Sequence, residues 1–426
     1  MSLAAPTRVD VAVVGGGMVG ATVALALAGT PLRVALVEAV RFDAAEQSSF
    51  DDRTTALGNG SRRILETLGA WPLMAAHASP VSEIHVSEAG RYGGARLRAA
   101  EQGLEALGYL VSNRHIGAAL WQLLVQQPAL QLRVPVRVHE AQFEADCVRL
   151  RLAPSASTPG TAATPAAQEC IETRVVIAAD GAQSLLARTA GIANAVEDYQ
   201  QVAVVVHVST DRAASGVAHE RFTPSGPLAV LPLRDGRHTI VWTLAPERAQ
   251  AVLALEDAAF ISELQQCFGW RIGRILAASA RASYPLRLSR AGSMRGPRLA
   301  LVGNAAQALH PVAGQGFNLG LRDAALLAEL LAAAKDPGDP AVLEDYQRRR
   351  ATDRRGMIGF TDGLVQMFGS DRALVVAVRS LGLQLFDLMP AAKRALSALS
   401  WGFGGDTPRL MRGLRLNPRP GNGERP

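Results

Sequence analysis

The apolar pattern changes character along the chain, and the changes mark out its elements. Val9-Asp10-Val11-Ala12-Val13-Val14 is a short, nearly unbroken apolar run, as a parallel strand buried on both faces requires. A glycine turn follows, and then Met18 to Gly29, rich in Ala, Val and Leu, predicts a helix. Arg33 to Glu38 predicts a second strand, which completes a βαβ unit at the start of the chain. Further helices are predicted near Gly60 to Leu68 and over Asn113 to Gln126, and hairpin strands over Leu132 to Leu152. Ser82 to Val86 and Ala95 to Arg98 read as strands of a different, antiparallel sheet. That sheet continues in the alternating stretches QVAVVVHV, PLAVLPL and HTIVW between Gln201 and Thr243. Residues 153–168 (APSASTPGTAATPAAQ) have the composition of a mobile surface loop. Thr173 to Ala178 and Leu299 to Val302 predict strands of the first sheet, Phe317 to Ala334 a long helix, and the chain beyond Pro340 is mostly helical, with a disordered tail after Asn417.

The expected fold is therefore α/β: a Rossmann-type dinucleotide domain, an inserted antiparallel β-sheet domain for substrate, and a helical C-terminal region. The boundaries drawn from the pattern are 1–80, 105–190 and 282–340 for the first, 81–104 and 191–281 for the second, and 341–426 for the third.

Composition narrows the class. Of the 426 residues, 48% are hydrophobic and 19% charged, the balance of a folded globular chain. The formal net charge is +6, but the arginines that carry it are scattered, so no nucleic-acid partner is implied. Cys147, Cys170 and Cys267 form no CxxC pair, so neither a disulfide framework nor a structural metal site is expected. With no signal peptide evident and no uncharged apolar run of bilayer length, a cytoplasmic protein is expected, at most peripheral on the inner membrane.

Gly15-Gly16-Gly17-Met18-Val19-Gly20 spells G-x-G-x-x-G between the first strand and its helix. Gly15 permits the tight turn, Gly17 a close backbone approach to a pyrophosphate, and Gly20 close packing of helix on strand. The N–H groups and dipole of the helix start suit phosphate. Glu38 ends the second strand, 38 − 20 = 18 residues past the last glycine, where a carboxylate accepts ribose hydroxyls. This motif alone does not separate FAD from NAD.

Two later segments do. Val175-Val176-Ile177-Ala178-Ala179-Asp180-Gly181 is the first, and Gly303-Asn304 with Gly314-Gln315-Gly316-Phe317-Asn318 is the second. With GxGxxG, then DG, then a GD-type segment in the C-terminal third, the chain resembles the class A flavoprotein monooxygenases of the p-hydroxybenzoate hydroxylase type over nearly its whole length. Asn304 stands where most of that family carries Asp, which removes one negative charge beside the phosphates. The resemblance implies FAD held by Gly15, Gly17, Gly20, Glu38, Asp180, Gly303, Asn304, Gly314, Gln315, Gly316 and Asn318. It also carries to Arg53 the role of an arginine that reaches the cofactor phosphates or ribose, with a solvated surface arginine as the alternative. Arg114 either touches the adenosine half or faces solvent. The whole reading requires the 314–316 turn to lie close to the 15–20 turn.

Several further segments, among them Phe50-Asp51-Asp52-Arg53, Glu220-Arg221-Phe222-Thr223-Pro224 and Ser283-Tyr284-Pro285-Leu286, are similar to those of the ubiquinone-biosynthesis hydroxylases. That resemblance implies a polyprenylated methoxyphenol substrate and O2, with a flavin C4a-hydroperoxide delivering the oxygen. NAD(P)H or another donor, bound transiently, would reduce the flavin, since no second dinucleotide fingerprint is present. Peripheral membrane contact or membership of a biosynthetic complex would suit such a substrate, through apolar C-terminal helices over Phe360 to Met367 and Leu374 to Leu388; the alternative is that these helices pack on the FAD domain. A base that draws the proton from a phenol would help, and His310, beside Pro311 in the flavin segment, and His85 are the candidates. Each could equally be a structural histidine. The alternatives are a class A hydroxylase of a soluble aromatic compound and a flavin-binding scaffold subunit of a quinone-biosynthesis complex.

Overall fold

The computed structural model describes residues 6–42, 53–91, 94–155, 169–309, 314–368, 389, 393 and 406–416. The chain opens with strand β1 (Thr7–Val14), helix α1 (Met18–Ala28) and strand β2 (Val34–Val37), the βαβ unit that the apolar run predicted. Strand β3 (Thr54–Gly58), helices α2 (Asn59–Thr67) and α3 (Trp71–Met74), and strands β4 (Ser79–Val81), β5 (Glu83–Glu88), β6 (Gly94–Arg98) and β7 (Gly108–Ser112) come next. Helix α4 (Asn113–Val125) leads to β8 (Leu130–Arg133), the hairpin β9 (Val136–Phe143) and β10 (Val148–Pro154), then β11 (Cys170–Ala178) and helix α5 (Leu185–Thr189).

The middle of the chain holds β12 (Asn194–Thr210), β13 (Val217–Thr223), β14 (Gly226–Pro232), β15 (His238–Leu244), helices α6 (Pro246–Leu253) and α7 (Asp257–Phe268), β16 (Ile275–Ala278) and β17 (Ala282–Ala291). Short strands β18 (Arg295–Gly296), β19 (Leu299–Leu301) and β20 (Gln307–Ala308) precede the long helices α8 (Gln315–Ala333) and α9 (Pro340–Phe368).

Three sheets organise these elements. The first has eight strands, in the order β18-β19-β11-β1-β2-β8 with the β9–β10 hairpin on β11. Its central pairs, β1 with β11 and β2, β2 with β8, and β11 with β19, are all parallel. Val11, Ala12, Val13, Leu36, Val176 and Ile177 are sealed from solvent there, which explains why these strands read as continuous apolar runs rather than alternations. The second sheet has nine strands, β20-β17-β12-β15-β14-β13-β5-β6 with β16 on β12. The third is the small β3-β7-β4 sheet.

The nine-stranded sheet departs from expectation in three ways. It is antiparallel except for β5, which runs parallel to β13, because β5 enters from the other domain and not through a hairpin. Residues 282–291, grouped by their pattern with the flavin domain, are hydrogen-bonded into this sheet as the long partner of β12. Helices α6 and α7 were not anticipated; Phe260, Leu264 and Phe268 pack against Val204, Val206, Leu228, Val230, Ile240 and Trp242 and so bury one face of the sheet. The other face looks toward β3 and β7, where Ala218, Ile84 and Leu231 meet Ala56, Val81 and Leu110.

The surface loop expected at 153–168 falls on undescribed residues beyond Ser155, and the apolar segment 374–388 and the tail after Asn417 also lie outside the described residues. No helix among the described residues is long and apolar enough to cross a membrane.

Candidate active site

The glycine turn after β1 is shaped by what surrounds it. Gly15 has φ +101°, and a Cβ there would sit 2.3 Å from the Ala179 carbonyl oxygen at the end of β11. A Cβ on Gly20 would fall 1.9 Å from the Gly15 oxygen. Neither position accepts any side chain without moving backbone. Gly17 is the N-cap of α1 and no side chain caps that helix. Trp121 on α4 clamps the turn by donating its indole N–H to the Gly16 oxygen at 3.1 Å. The buried Glu38 carboxylate accepts from the Gly16 N–H through one oxygen and from the Val40 N–H at 2.8 Å through the other. A carboxylate has about four acceptor sites, so room remains for two hydroxyl donors.

The other two segments converge on this turn. Gly303 has φ +58° and a Cβ there would press on Val19, in the first turn of α1, at 3.1 Å. A Cβ on Gly320 of α8 would meet the same Val19 at 2.8 Å and the Gly303 Cα at 3.2 Å. Thus α1, the 303 turn and α8 touch through one valine and two glycines. Gly314 lies six residues before Gly320, roughly 9 Å along the helix axis at 1.5 Å per residue. The 314–316 turn and the 15–20 turn are neighbours, as the reading required.

Several groups around this junction are left without side-chain neighbours or partners. Asn304 is exposed between buried Gly303 and Ala305. A Cβ on Gly316 would meet nothing within 4 Å, and α8 starts at left-handed Gly314 (φ +60°) with no side-chain cap. Asp180 accepts from the Leu185 N–H through Oδ2 at 2.9 Å, while its Oδ1 is buried with no partner among the described residues. Burial raises its pKa. An orphaned acceptor, two uncapped helix starts and a bare backbone are the features a phosphate-linked flavin would complete.

A family model described as FAD binding domain matches residues 8–361. The chain belongs to the FAD binding domain family. Within it, the chain is 37% identical to ubiquinone hydroxylase UbiL of Rhodospirillum rubrum over 96% of its own length and 93% of the relative's. It is 32% identical to 3-demethoxyubiquinol 3-hydroxylase of Escherichia coli, over 93% and 98%. Among solved structures, p-nitrophenol 4-monooxygenase PnpA of Pseudomonas putida DLL-E4 shares the fold, with TM-score 0.75, 19% identity and coverage of 94% and 99%. This member of the family is an FAD-dependent monooxygenase.

The structure redistributes several candidate residues of this flavoprotein. Asn318 is fully buried, but its amide faces protein: Nδ2 donates to the Ala56 oxygen at 2.8 Å and the Gly314 oxygen at 2.9 Å, while Oδ1 accepts from the Gly58 N–H at 2.9 Å. Both donors are taken, so Asn318 fastens α8 to β3 and leaves no N–H for a cofactor. Arg53 places its guanidinium 4.7 Å from the ring centre of Tyr284 on β17, a stacking contact on the substrate-sheet side. Gln315 is buried at the start of α8, and Arg114 is exposed on α4. His310 and Pro311 lie outside the described residues.

His85 is on the wrong face. It pairs with His219 across the β5–β13 register, and the two rings meet edge to face at 5.6 Å. His219 in turn contacts Phe268 of α7 at 5.5 Å, so this pair points toward the helices and away from the flavin side. Burial and nearby arginines lower the His85 pKa.

The opposite face carries what the sequence did not single out. Across the register, Val86, Glu220, Ala229, Val241 and Val205 form one row, all partly open to solvent. The next row ends in a polar chain, in which His207 Nδ1 lies 3.0 Å from Thr239 Oγ1 and Thr239 3.2 Å from Thr54 of β3. Behind the flavin segment, α9 is locked to α8 by buried ion pairs. Arg350 Nε meets Asp323 Oδ1 at 2.6 Å, Arg322 Nε meets Asp353 Oδ2 at 2.8 Å, and Gln307 Nε2 donates to Asp323 at 2.7 Å. Arg354 donates to the Ala291 and Ala306 oxygens, tying the same cluster to β17 and the 303 turn. The runs of arginine in α9 gave no sign of this role.

Proposed function

We propose that the chain hydroxylates the ring of a polyprenylated methoxyphenol on the route to ubiquinone. One oxygen atom of O2 enters a ring C–H bond, the other leaves as water, and NAD(P)H supplies the two electrons. The observation that carries this is the junction of α1, the 303 turn and α8 through Val19, Gly303 and Gly320, beside an apolar sheet face. Bound FAD supplies the electron transfer and oxygen activation. Gly15, Gly17 and the α1 start would hold its pyrophosphate, Glu38 its ribose, and Asp180 and Asn304 its middle. Gly314 and Gly316 would leave backbone N–H groups at the ring edge, and the row around Ala229 would keep water from the reacting ring. The substrates in the names of the similar proteins support the quinone precursor.

The isoprenoid tail of such a substrate resides in lipid, so contact with a membrane surface or a delivering complex is part of the proposal. The test is incubation of the purified, FAD-loaded chain with NADPH, a short-chain prenylated methoxyphenol and 18O2. A product one 18O atom heavier is expected, along with loss of ubiquinone and accumulation of the phenol in a deletion strain. A colourless protein that cannot be loaded with FAD, or unchanged ubiquinone, overturns the reading.

A further inference from the structure

The face of the nine-stranded sheet that looks toward β3 and β7 is apolar along its second row except for one group. Val86, Ala229, Val241 and Val205 flank Glu220, which sits mid-row on β13. Two residues along the same strand, Ala218 packs against Ala56, and Ala56 abuts Gly314. Two strand residues span roughly 7 Å. Glu220 therefore stands on the same sheet face as Ala218, one row along from the cluster through which Ala56 reaches the 314 turn.

The carboxyl has no hydrogen bond or ion pair among the described residues, although carboxylates in protein interiors are ordinarily paired. It keeps part of its surface open, yet the packed protein around it pushes its pKa up to about 7 by burial alone.

Among the described residues, the other ionisable groups on this face are already engaged. Glu88 pairs with Arg91 at 3.2 Å, His207 bonds Thr239, and Arg53 stacks on Tyr284. On β14 and β15 the positions that share this face are Pro227, Ala229, Leu231, Thr239, Val241 and Thr243, none of them charged.

We propose that Glu220 receives the ring hydroxyl of the substrate, accepting its hydrogen bond and taking its proton as the ring is hydroxylated. The proposal rests on the function given above. The O–H bond breaks with its electron pair left on the ring oxygen, and the proton passes to Glu220. When the hydroxylated carbon loses its own proton and the ring regains aromaticity, the Glu220 proton returns to the ring oxygen. A carboxyl that titrates near neutrality suits both transfers. An apolar row with one such carboxyl also selects a phenol over its methyl ether.

The test compares the FAD-loaded wild type with E220Q and E220D, using the short-chain prenylated methoxyphenol and its methyl ether. Product formation in the wild type should rise with pH through a limb near 7, the value toward which burial pushes this carboxyl. E220Q should lose that limb and roughly 10²–10⁴-fold in kcat. NADPH use should shift toward hydrogen peroxide, with flavin content and Tm unchanged. E220D should recover part of the rate and the limb. In titrations followed by flavin absorbance, E220Q should weaken binding of the phenol at pH 8 and leave binding of the methyl ether unchanged. An active wild type together with an E220Q that keeps the limb and a rate within about 3-fold overturns this inference alone. A flavin-loaded wild type that oxygenates no phenol overturns the proposed function and this inference with it.

Discussion

Asn318 offers the sharpest check on how the site is built. Its amide makes three hydrogen bonds, to the Ala56 and Gly314 oxygens and from the Gly58 N–H, all with backbone and all buried. Asn318→Ala strips the partner from one N–H and two carbonyls. A buried backbone group left unmade costs about 1–3 kcal/mol. Three such groups, eased by any water that enters the vacated volume, imply a loss of roughly 3–5 kcal/mol. That is a large share of a typical total of about 5–15 kcal/mol.

Asn318→Asp has nearly the same shape but a different sign of interaction. One oxygen still accepts from Gly58, while the other faces two carbonyl oxygens where two donors stood. The carboxylate is therefore disfavoured, and its folded pKa rises above the unfolded value of about 3.9. A raised carboxyl pKa gives stability that is complete below the unfolded value and lost as pH rises through the folded one. N318D should accordingly lie nearest the wild type at pH 4 and below N318A at pH 8. Urea denaturation of the FAD-free protein reads both, because ligand linkage is then absent. A loss under about 1 kcal/mol for N318A, or a deficit present only in the FAD-bound protein, would refute the fastening role and return Asn318 to the cofactor.

Three more substitutions separate roles that the structure assigns. Gly20→Ala, whose Cβ would overlap the Gly15 oxygen, should yield protein without flavin, whereas Gly316→Ala should raise the Tm of FAD-free protein, consistent with about 0.5–1 kcal/mol gained in a helix, and weaken FAD binding at least roughly 10-fold; unchanged FAD affinity would remove the 316 backbone from the ring. Asp353→Ala leaves Arg322, 2% exposed, and Arg350, 3% exposed, short of a counter-charge, and urea denaturation should show a loss of about 3–5 kcal/mol; a loss below 1 would mean that solvent reaches the cluster. Burial first, and then His85, Arg271 and His238, push the His219 pKa down to about 4, so its neutral form gives stability present above pH 6.5 and lost as pH falls toward 4. His219→Phe should flatten that stretch of the stability–pH curve, and an unaltered curve would show that folding leaves the His219 pKa where it is in the unfolded chain.

The features legible in the sequence share a physical trait: backbone geometry at those positions tolerates few residues. Gly15, Gly20 and Gly303 are fixed by contacts that a single methyl would break, and the continuous apolar runs of β1 and β11 by burial on both faces, so local sequence was enough to place them. Asn318 stands among flavin-segment glycines in sequence, but two of its three side-chain hydrogen-bond partners lie 260 and 262 positions away on β3, which local sequence does not show. His85 fails for a related reason. Alternation along β5 tells which residues share a face, but which face looks inward was decided by α6 and α7, whose helical pattern was passed over. The same parity holds the useful signal. In His219-Glu220-Arg221, the flanking pair turns toward α7, where Arg221 donates to the Cys267 oxygen, so Glu220 must point the other way. A lone acid between residues committed to the opposite face, in a strand otherwise lined by Ala218 and Phe222, marks the flavin-side carboxyl once one contact of the sheet is known.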